Sequence, residues 1–127
     1  RKVICFSGDG SLMMNIQEMA TAAENQLDVK IILMNNEALG LVHQQQSLFY
    51  QQGVFAATYP GMINFMQIAA GFGLHTCDLN AEEDAHAALQ AALSRPGPAL
   101  IHVRIDPEQK VYPMVPPGAA NTEMVGE

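Results

Sequence analysis

The stretch Val3-Ile4-Cys5-Phe6-Ser7-Gly8-Asp9-Gly10-Ser11 decides the fold, because an apolar run leads directly into a glycine-containing polar segment. The apolar residues Val3–Phe6 are typical of a strand in a parallel sheet that is covered on both faces. The polar residues that follow predict a turn over 7–11. Apolar residues then recur with helical spacing from Leu12 to Glu24, where Asn25 can end the helix.

The rest of the chain continues this alternation of strands and helices. Residues 29–34 predict a second strand, whereas 35–60 lack periodicity and predict an irregular segment with at most a short helix. Helices are expected at 64–71 and 81–93, the second capped by Asn80, and strands at 74–77 and 99–105. The pattern predicts an α/β fold with a doubly wound, mainly parallel sheet and helices on both faces. We assign 1–105 to this domain and 106–127, rich in proline and glycine, to an irregular carboxy-terminal tail.

The composition excludes several classes of partner. The chain of 127 residues has 13 acidic and 6 basic side chains and a formal net charge of −7, so nucleic acid and anionic membranes would repel it. No apolar run approaches the roughly 20 residues that span a bilayer. Cys5 and Cys77 predict reduced core thiols of a cytosolic protein. The chain starts at Arg1 without a methionine, and we interpret it as a piece of a longer protein.

Two polar turns follow successive predicted strands and predict a metal site if those strands are neighbours in the sheet. Ligands of doubly wound sheets gather beyond the carboxyl ends of the strands, where residues 8–11 and 35–38 fall. Asp9 offers a carboxylate, Asn36 an amide oxygen and Ala38 a backbone carbonyl, which are ligand types that magnesium accepts. Gly10 leaves room for a phosphate, and Ser11 lies in the helix start whose positive dipole end favours an anion.

The spacing of the two motifs is more informative than either motif alone. A Gly-Asp-Gly sequence most often marks an ordinary turn, and asparagine favours turns in general. The 24 residues between Gly10 and Asn35 leave room for just one helix and one strand. That combination resembles the thiamine-diphosphate motif shared by pyruvate decarboxylases, pyruvate oxidases and acetohydroxyacid synthases. The resemblance implies that Asp9, Asn36 and the Ala38 carbonyl hold magnesium. It also implies that the cofactor is contacted by Gly8, Asp9, Gly10, Ser11 and Asn36, with Gly10 and Ser11 at its diphosphate.

Three further stretches resemble acetohydroxyacid synthases: Met14–Glu18 after the motif, Gly40–Tyr50 as a substrate-side loop, and Tyr112–Gly118 near the carboxy terminus. The resemblance implies a cytoplasmic enzyme of branched-chain amino-acid biosynthesis that decarboxylates pyruvate and condenses the two-carbon unit with pyruvate or 2-oxobutyrate. It also implies FAD in the full-length enzyme, a homodimer with other domains of the catalytic subunit, and a small regulatory subunit. The activating glutamate belongs to a separate domain in that family, so no catalytic residue is assigned here and the chain alone is not expected to turn over.

The substrate-side loop departs from the family at two positions. Leu41 stands where the family usually has methionine, a change that nearly conserves volume. Gln45 stands where the family usually has a tryptophan that favours 2-oxobutyrate, so this preference is expected to be weak. His43, on the same loop, is the histidine with an expected role beside the site. His75, His86 and His102 are interpreted as structural.

Two other readings remain open. The chain can instead be a module for assembly or for binding a regulatory subunit, since missing neighbouring strands leave sheet edges unpaired. It can also belong to another thiamine-diphosphate enzyme, such as a pyruvate oxidase or a glyoxylate carboligase.

Overall fold

The fold was obtained as a computed structural model, which describes residues 1–59, 61 and 63–126. Pro60 and Glu127, which end the predicted irregular segment and the predicted tail, lie outside the described residues. In chain order the elements are β1 (Val3–Gly8), α1 (Asp9–Met14), α2 (Glu18–Glu24), β2 (Val29–Asn35), α3 (Gly40–Phe49), α4 (Phe65–Gly71), β3 (His75–Asp78), α5 (Ala85–Ser94) and β4 (Ala99–Arg104). Within the described residues, no helix is long and apolar enough to cross a membrane.

The four strands form one parallel sheet in the order β1-β2-β4-β3. At its carboxyl edge Gly8 of β1 lies opposite Met34 of β2, and Asp78 of β3 lies opposite His102 of β4. All four strands therefore end at the same edge, where ligands of such sheets gather. The predicted α/β fold with a mainly parallel sheet is confirmed.

The main core lies between one face of the sheet and the helices α2 and α4. Because side chains alternate along a strand, Leu33 of β2 and Leu100 of β4 point to the same face. They pack against Met19 from α2 and against Phe65 and Ala69 from α4, and all five are buried. Burial of this apolar surface is the main favourable contribution to folding.

Helix α5 lies against the opposite face, beside β3 and β4. Ala99 points away from the main core because it precedes Leu100 on the strand. Together with His75 it lines a cavity of about 310 Å³, whose other wall includes Ala88 and Ala92 of α5. Helices therefore cover both faces of the sheet, as the sequence predicts.

Strand β1 differs from its prediction in burial. It has the predicted position, but Val3, Ile4 and Phe6 are exposed, with Phe6 at 72%. The physical reason is that β1 is an edge strand with only β2 beside it. The prediction that Cys5 is a core thiol is wrong for the same reason, since its side chain is exposed. Cys77, in β3, is partly buried, and both thiols are free.

The first predicted helix is divided in two. The strand continues to Gly8 and α1 begins at Asp9, so the predicted turn over 7–11 is absent from the described structure. Asn15 leaves the helical conformation with φ −136° and ψ 35°, and α2 begins only at Glu18. The apolar spacing still holds across this break, because Leu12 and Ile16 pack against the same core.

Two other helix predictions need correction. Helix α5 begins at Ala85 because the Asp84 carboxylate accepts the Ala87 N–H at 2.9 Å. The predicted cap, Asn80, instead accepts the backbone N–H of Arg104 at 3.1 Å. The segment 35–60 contains α3, a helix of 10 residues rather than a short one.

The carboxy-terminal segment is fastened to α3 by Gln44, which is 3% exposed. Its side-chain amide donates to the carbonyl of Val111 at 2.8 Å and its side-chain oxygen accepts the Val111 N–H at 2.9 Å. Farther along, Met114 and Val125 form an antiparallel bridge. The division of the chain at residue 105 stays a prediction.

Lys30 occupies an unusual position for a lysine, because its side chain is fully buried at the start of β2. Its ammonium group donates to the Arg95 carbonyl at 2.6 Å and to the Gly97 carbonyl, and it pairs with Asp28 at 2.8 Å. The carbonyl groups lie at and just beyond the end of α5. Lys30 thus ties the end of that helix to the centre of the sheet.

We predict that Lys30→Met lowers the free energy of unfolding by about 3 kcal/mol, because two carbonyl groups lose their donor and the Asp28 carboxylate loses its partner. Urea unfolding followed by circular dichroism measures this change. Lys2→Met is the matched control, since Lys2 is exposed, and its effect should stay below about 0.5 kcal/mol. Equal effects of the two substitutions would contradict the role given to Lys30.

Candidate functional site

The carboxyl end of β1 leads directly into α1, so Gly8 caps the helix and Asp9 is its first residue. The Asp9 side chain is 2% exposed, which is unusual for a carboxylate. Its Oδ1 accepts the Gly10 N–H at 2.8 Å, whereas its Oδ2 is buried without a hydrogen-bond partner among the described residues. A buried oxygen of this kind has strong need of a cation or donor.

The carboxyl end of β2 leads into a tight turn that carries Asn36 and Ala38. Glu37 adopts a φ of 55°, in the left-handed region that non-glycine residues seldom occupy. The Asn35 side-chain oxygen accepts the Glu37 N–H at 3.1 Å, and the Asn36 side-chain oxygen lies 3.3 Å from the Ala38 nitrogen. Side-chain hydrogen bonds thus hold the turn in a conformation that the backbone alone disfavours.

A returning segment at 57–59 fixes the other side of this turn. The Leu39 N–H donates to the Ala57 carbonyl at 2.8 Å, and the Tyr59 N–H donates to the Glu37 carbonyl at 2.9 Å. Ala38 is therefore the non-hydrogen-bonded member of an antiparallel bridge. Its own carbonyl points away from this bridge and is not engaged by it.

The two strand ends open into one cavity of about 620 Å³. The residues predicted to hold magnesium and diphosphate all line it, and so does one substrate-side residue: Gly8, Asp9, Gly10, Ser11, Asn36, Ala38 and Leu41. The remaining lining is largely apolar and consists of Met14, Met34, Leu39, Gly40, Val42 and Ile105. The cavity therefore combines a polar floor with an apolar wall.

The donor set of this floor fits a hard divalent cation. It offers a carboxylate, an amide oxygen and a backbone carbonyl, and magnesium commonly takes one or two carboxylates together with phosphate oxygens and water. Within 1–59, 61 and 63–126, three or more histidine, cysteine and acidic side chains nowhere form a metal-binding group. Among the described residues that line this cavity, Asp9 is the one with an acidic side chain, so anion oxygens or water have to complete the shell.

Two glycines keep the floor open. A side-chain carbon added at Gly10 would lie 2.6 Å from the Leu39 Cδ2 and 3.3 Å from the Tyr59 hydroxyl. One added at Gly40 would lie 2.9 Å from the Asn36 amide nitrogen. Any larger residue at these positions must displace a group that lines the cavity.

The predicted substrate-side residues separate into three positions on α3. Leu41 lies in the main cavity and is 60% exposed. Gln45 lines a neighbouring cavity of about 320 Å³, which shares Val42 with the first. His43 lines neither of these two cavities, and its carbonyl accepts the hydroxyl of Ser47 at 2.8 Å. The structure thus places Leu41 in the cavity of the proposed site and Gln45 in the adjacent cavity. His43 lies in neither of these two cavities.

Tyr59 is a site residue that the sequence did not identify. Its hydroxyl is buried beside Asp9 and, like Asp9 Oδ2, makes no hydrogen bond of standard geometry among the described residues. Burial raises the pKa of Tyr59 above its usual value, and the negative charge of Asp9 and hydrogen bonding to its carboxylate raise it further. The residue lies in an aperiodic segment, so only the return of 57–59 to the turn reveals it.

A second polar group occupies the same sheet edge, on the side of β4. His102 Nδ1 lies 3.1 Å from the Asp78 carboxylate and its Nε2 lies 3.0 Å from the Asn35 amide nitrogen. Arg104 pairs with Glu37 at 2.9 Å. These residues line a cavity of about 370 Å³. The sequence marks His102 only as structural, because Asp78 and Asn35 are far from it along the chain.

Comparisons with known proteins show the family of the chain. Residues 1–103 match the family described as "Thiamine pyrophosphate enzyme, C-terminal TPP binding domain". The chain is 87% identical over all 127 residues to the acetolactate synthase isozyme 1 large subunit of Escherichia coli (strain K12). It is 44% identical over 97% of its length to the isozyme 2 large subunit of that organism, and 40% identical over 98% to the acetolactate synthase large subunit of Pyropia yezoensis. The chain spans 23%, 22% and 21% of these relatives.

Solved structures resemble the chain in fold. Benzoylformate decarboxylase from Polynucleobacter necessarius matches 87% of the chain with a TM-score of 0.77 and 25% identity. A putative thiamin diphosphate-dependent enzyme from Mycobacterium smegmatis matches 82% with a TM-score of 0.64 and 29% identity. The matched regions are 20% and 18% of those chains.

We predict that Tyr59→Phe removes a loss of stability at alkaline pH. The unfolded chain ionises this tyrosine from a pKa of about 10, whereas the folded chain keeps it protonated because its pKa is raised. The contribution of this hydroxyl to stability is therefore constant below pH 10 and falls as the pH rises above it. Urea unfolding between pH 9 and 11 measures the effect. Tyr50→Phe is the control, because Tyr50 is exposed. A steeper fall in Tyr59→Phe than in the unmodified chain would contradict this reading.

Proposed function

Because the chain belongs to the family of thiamine pyrophosphate enzymes and contains their carboxy-terminal TPP-binding domain, we propose that it holds thiamine diphosphate through a magnesium ion. Its homology to acetolactate synthase large subunits identifies it as the cofactor-binding part of an acetohydroxyacid synthase. The observation that carries the magnesium proposal is the shared cavity of Asp9, Asn36 and Ala38. Asp9 Oδ2, which is buried and has no hydrogen-bond partner within the described part of the chain, supports it.

The roles of the site residues follow from their chemistry. Asp9 is the charged ligand of the metal, and the Asn36 side-chain oxygen and Ala38 carbonyl are its neutral ligands. The start of α1 offers the Ser11 N–H to the diphosphate, whereas the Gly10 N–H already donates to Asp9 Oδ1 at 2.8 Å and becomes available only if that bond is given up. Gly8 leaves the approach open. The Asn36 oxygen accepts the Ala38 N–H at 3.3 Å and retains a second lone pair for the cation.

The bound cofactor supplies the carbon chemistry, a reactive carbon that accepts a 2-oxo acid and stabilises negative charge after decarboxylation. The chain anchors and orients that group. Met14, Met34 and Leu41 offer an apolar surface beside the polar floor, and Met14 and Leu41 are themselves exposed in this chain. No residue of this chain is proposed as a catalytic acid or base.

The activity of the whole protein is a proposal, since the chain spans less than a quarter of its relatives. We propose that the whole protein decarboxylates pyruvate and condenses the resulting two-carbon unit with a second pyruvate or with 2-oxobutyrate. FAD, the other domains in a homodimer, a small regulatory subunit and a cytoplasmic location belong to the same proposal. Relatives from several organisms have names of acetolactate synthases, which favours this reading over a pyruvate oxidase or a glyoxylate carboligase.

One observation favours an assembly role beside cofactor binding. Strand β1 is an edge strand whose apolar side chains Val3, Ile4 and Phe6 are exposed. Unpaired strand edges and exposed apolar side chains are typical of surfaces that bind further protein. The two roles are compatible, because Asp9 directly follows β1 at the carboxyl end of the strand.

We predict that the chain binds thiamine diphosphate only with Mg²⁺ and that Asp9→Ala abolishes this binding. Loss of a direct metal ligand should exceed the roughly 10–100-fold cost known for outer-shell partners. Isothermal titration calorimetry with and without Mg²⁺ measures it, after circular dichroism has established folding of each variant. Asp106→Ala, at an exposed aspartate outside the site, is the matched control.

Each calorimetric outcome has a distinct meaning. Binding lost in Asp9→Ala and kept in Asp106→Ala supports the site as proposed. Magnesium-independent binding, or equal binding by both variants, contradicts the ligand role of Asp9. A folded chain that fails to bind means that other domains complete the site, and the assembly role then takes precedence.

We predict that an enzyme carrying Gln45 discriminates weakly between pyruvate and 2-oxobutyrate as acceptor. The test uses the E. coli isozyme 1 large subunit with its matching segment replaced by this chain. Gln45→Trp should raise the product ratio toward acetohydroxybutyrate by about tenfold, because a shaped apolar pocket discriminates one methylene group to that degree. Leu41→Met is the control and should leave the ratio unchanged. A strong preference for 2-oxobutyrate in the unmodified protein would refute the prediction.

A further inference from the structure

A chain of hydrogen bonds runs across the carboxyl edge of the sheet, from β3 through β4 to β2. The Asp78 carboxylate contacts His102 Nδ1 at 3.1 Å, and His102 Nε2 contacts the Asn35 amide nitrogen at 3.0 Å. Asn35 is only 5% exposed, so its amide group has little access to water and depends on protein partners. The roles assigned to the proposed cofactor do not use Asp78 or His102.

The partners of Asn35 determine the direction of every bond in this chain. The Asn35 side-chain oxygen accepts the Glu37 N–H, so the other end of the amide is the NH₂ group, which can only donate. His102 Nε2 must therefore be the unprotonated acceptor. The proton of the neutral imidazole then resides on Nδ1 and is donated to Asp78.

The Asp78 carboxylate is held in place by further hydrogen bonds and accepts the one from His102 Nδ1. Its Oδ1 also accepts the backbone N–H of Asn80 at 3.1 Å and the Asn80 side-chain amide at 2.7 Å. Burial raises the pKa of Asp78, but hydrogen bonds from Asn80 and His102 outweigh burial and keep the pKa below its usual value. Asp78 thus holds the His102 ring from the side opposite Asn35.

The far end of the chain is the turn that carries two of the proposed metal ligands. Asn35 directly precedes Asn36, and its oxygen fixes the N–H of Glu37, the residue with a φ of 55°. The Asn35 backbone carbonyl accepts the N–H of Ile105, which follows β4. Asn35 is therefore held to the β4 side both by its backbone and by His102.

We propose that Asp78 and His102 are positioning residues that, through Asn35, set the conformation of the turn 35–38 and thereby the placement of Asn36 and the Ala38 carbonyl for a divalent cation. This inference rests on the proposed function for its consequence in cofactor binding. Its structural content, which is the Nδ1–H tautomer of His102 and the protection of the Glu37 N–H, is independent of any ligand. Outer-shell partners of this kind tune metal sites by orienting the ligands.

Two substitutions of His102 separate this role from a general need for a side chain in β4. Glutamine places its amide group near the position of imidazole Nε2 and can still accept from Asn35. Asparagine places its amide near Nδ1, keeps a donor for Asp78 and does not reach Asn35. His75→Asn is the matched control, because His75 is a partly buried strand histidine that pairs with Ala99 at the opposite end of the sheet.

The first experiment needs no ligand and uses nuclear magnetic resonance on the chain. The ¹⁵N shifts of His102 should report a protonated Nδ1 and an unprotonated Nε2. Amide hydrogen exchange at Glu37 should be about tenfold faster in His102→Asn than in His102→Gln or His75→Asn, because the turn loses its anchor. An Nε2–H tautomer, or equal Glu37 exchange in all three variants, overturns the proposal.

The second experiment titrates thiamine diphosphate at a fixed Mg²⁺ concentration and then Mg²⁺ at fixed thiamine diphosphate. His102→Asn should weaken the magnesium-dependent affinity by about tenfold, with rescue in His102→Gln. Binding that Asp9→Ala abolishes but His102→Asn leaves unchanged overturns the positioning role and leaves the proposed function intact. If the unmodified chain does not bind, the proposed function fails for the chain, and the tautomer and exchange results decide this inference alone.

Discussion

The parallel pairing of β1 with β2 is the interaction on which the site depends. Gly8 lies opposite Met34 in this pairing, so Asp9 and Asn35 lie at the same level of the carboxyl edge. A shift of the β1–β2 register by one residue would move the turn after β1 along the edge and reverse the faces of β1 relative to β2. Strand β2 itself is held by its pairing with β4 and by Leu33, which is fully buried in the core. The same packing that stabilises the sheet therefore aligns the site.

Strain in the turn 35–38 is balanced by contacts from three directions. Glu37 occupies the left-handed region, which costs a non-glycine residue roughly 1–2 kcal/mol. The Asn35 side chain holds its N–H, the Tyr59 N–H holds its carbonyl, and Arg104 pairs with its carboxylate. Several weak constraints thus select one conformation before any ligand arrives, which lowers the ordering cost of binding.

The order of strands and helices and the position of both motifs follow from sequence, because apolar spacing and turn residues are local signals. The break between α1 and α2 was not predictable, since the apolar spacing continues unchanged through Ile16. The exposure of β1 depends on which strands are beside it, and no local pattern encodes that. Tyr59 and His102 become site residues only when a returning loop and a neighbouring strand bring them to the edge. The sequence therefore predicted the site residues that directly follow a strand. It did not predict those that reach the site through contacts between distant elements.

The charges of the site favour the proposed cation. Among the described residues, the lining of the main cavity includes the carboxylate of Asp9 and no lysine or arginine side chain. A diphosphate that approached this floor directly would meet a buried negative charge, and the low polarity of the apolar wall would strengthen the repulsion. The dipole of α1, a helix of six residues, offers only a partial positive charge in compensation. In the proposed site a divalent ion would offset the charges of both Asp9 and the diphosphate, so we expect this acidic chain to bind the anion only together with its metal.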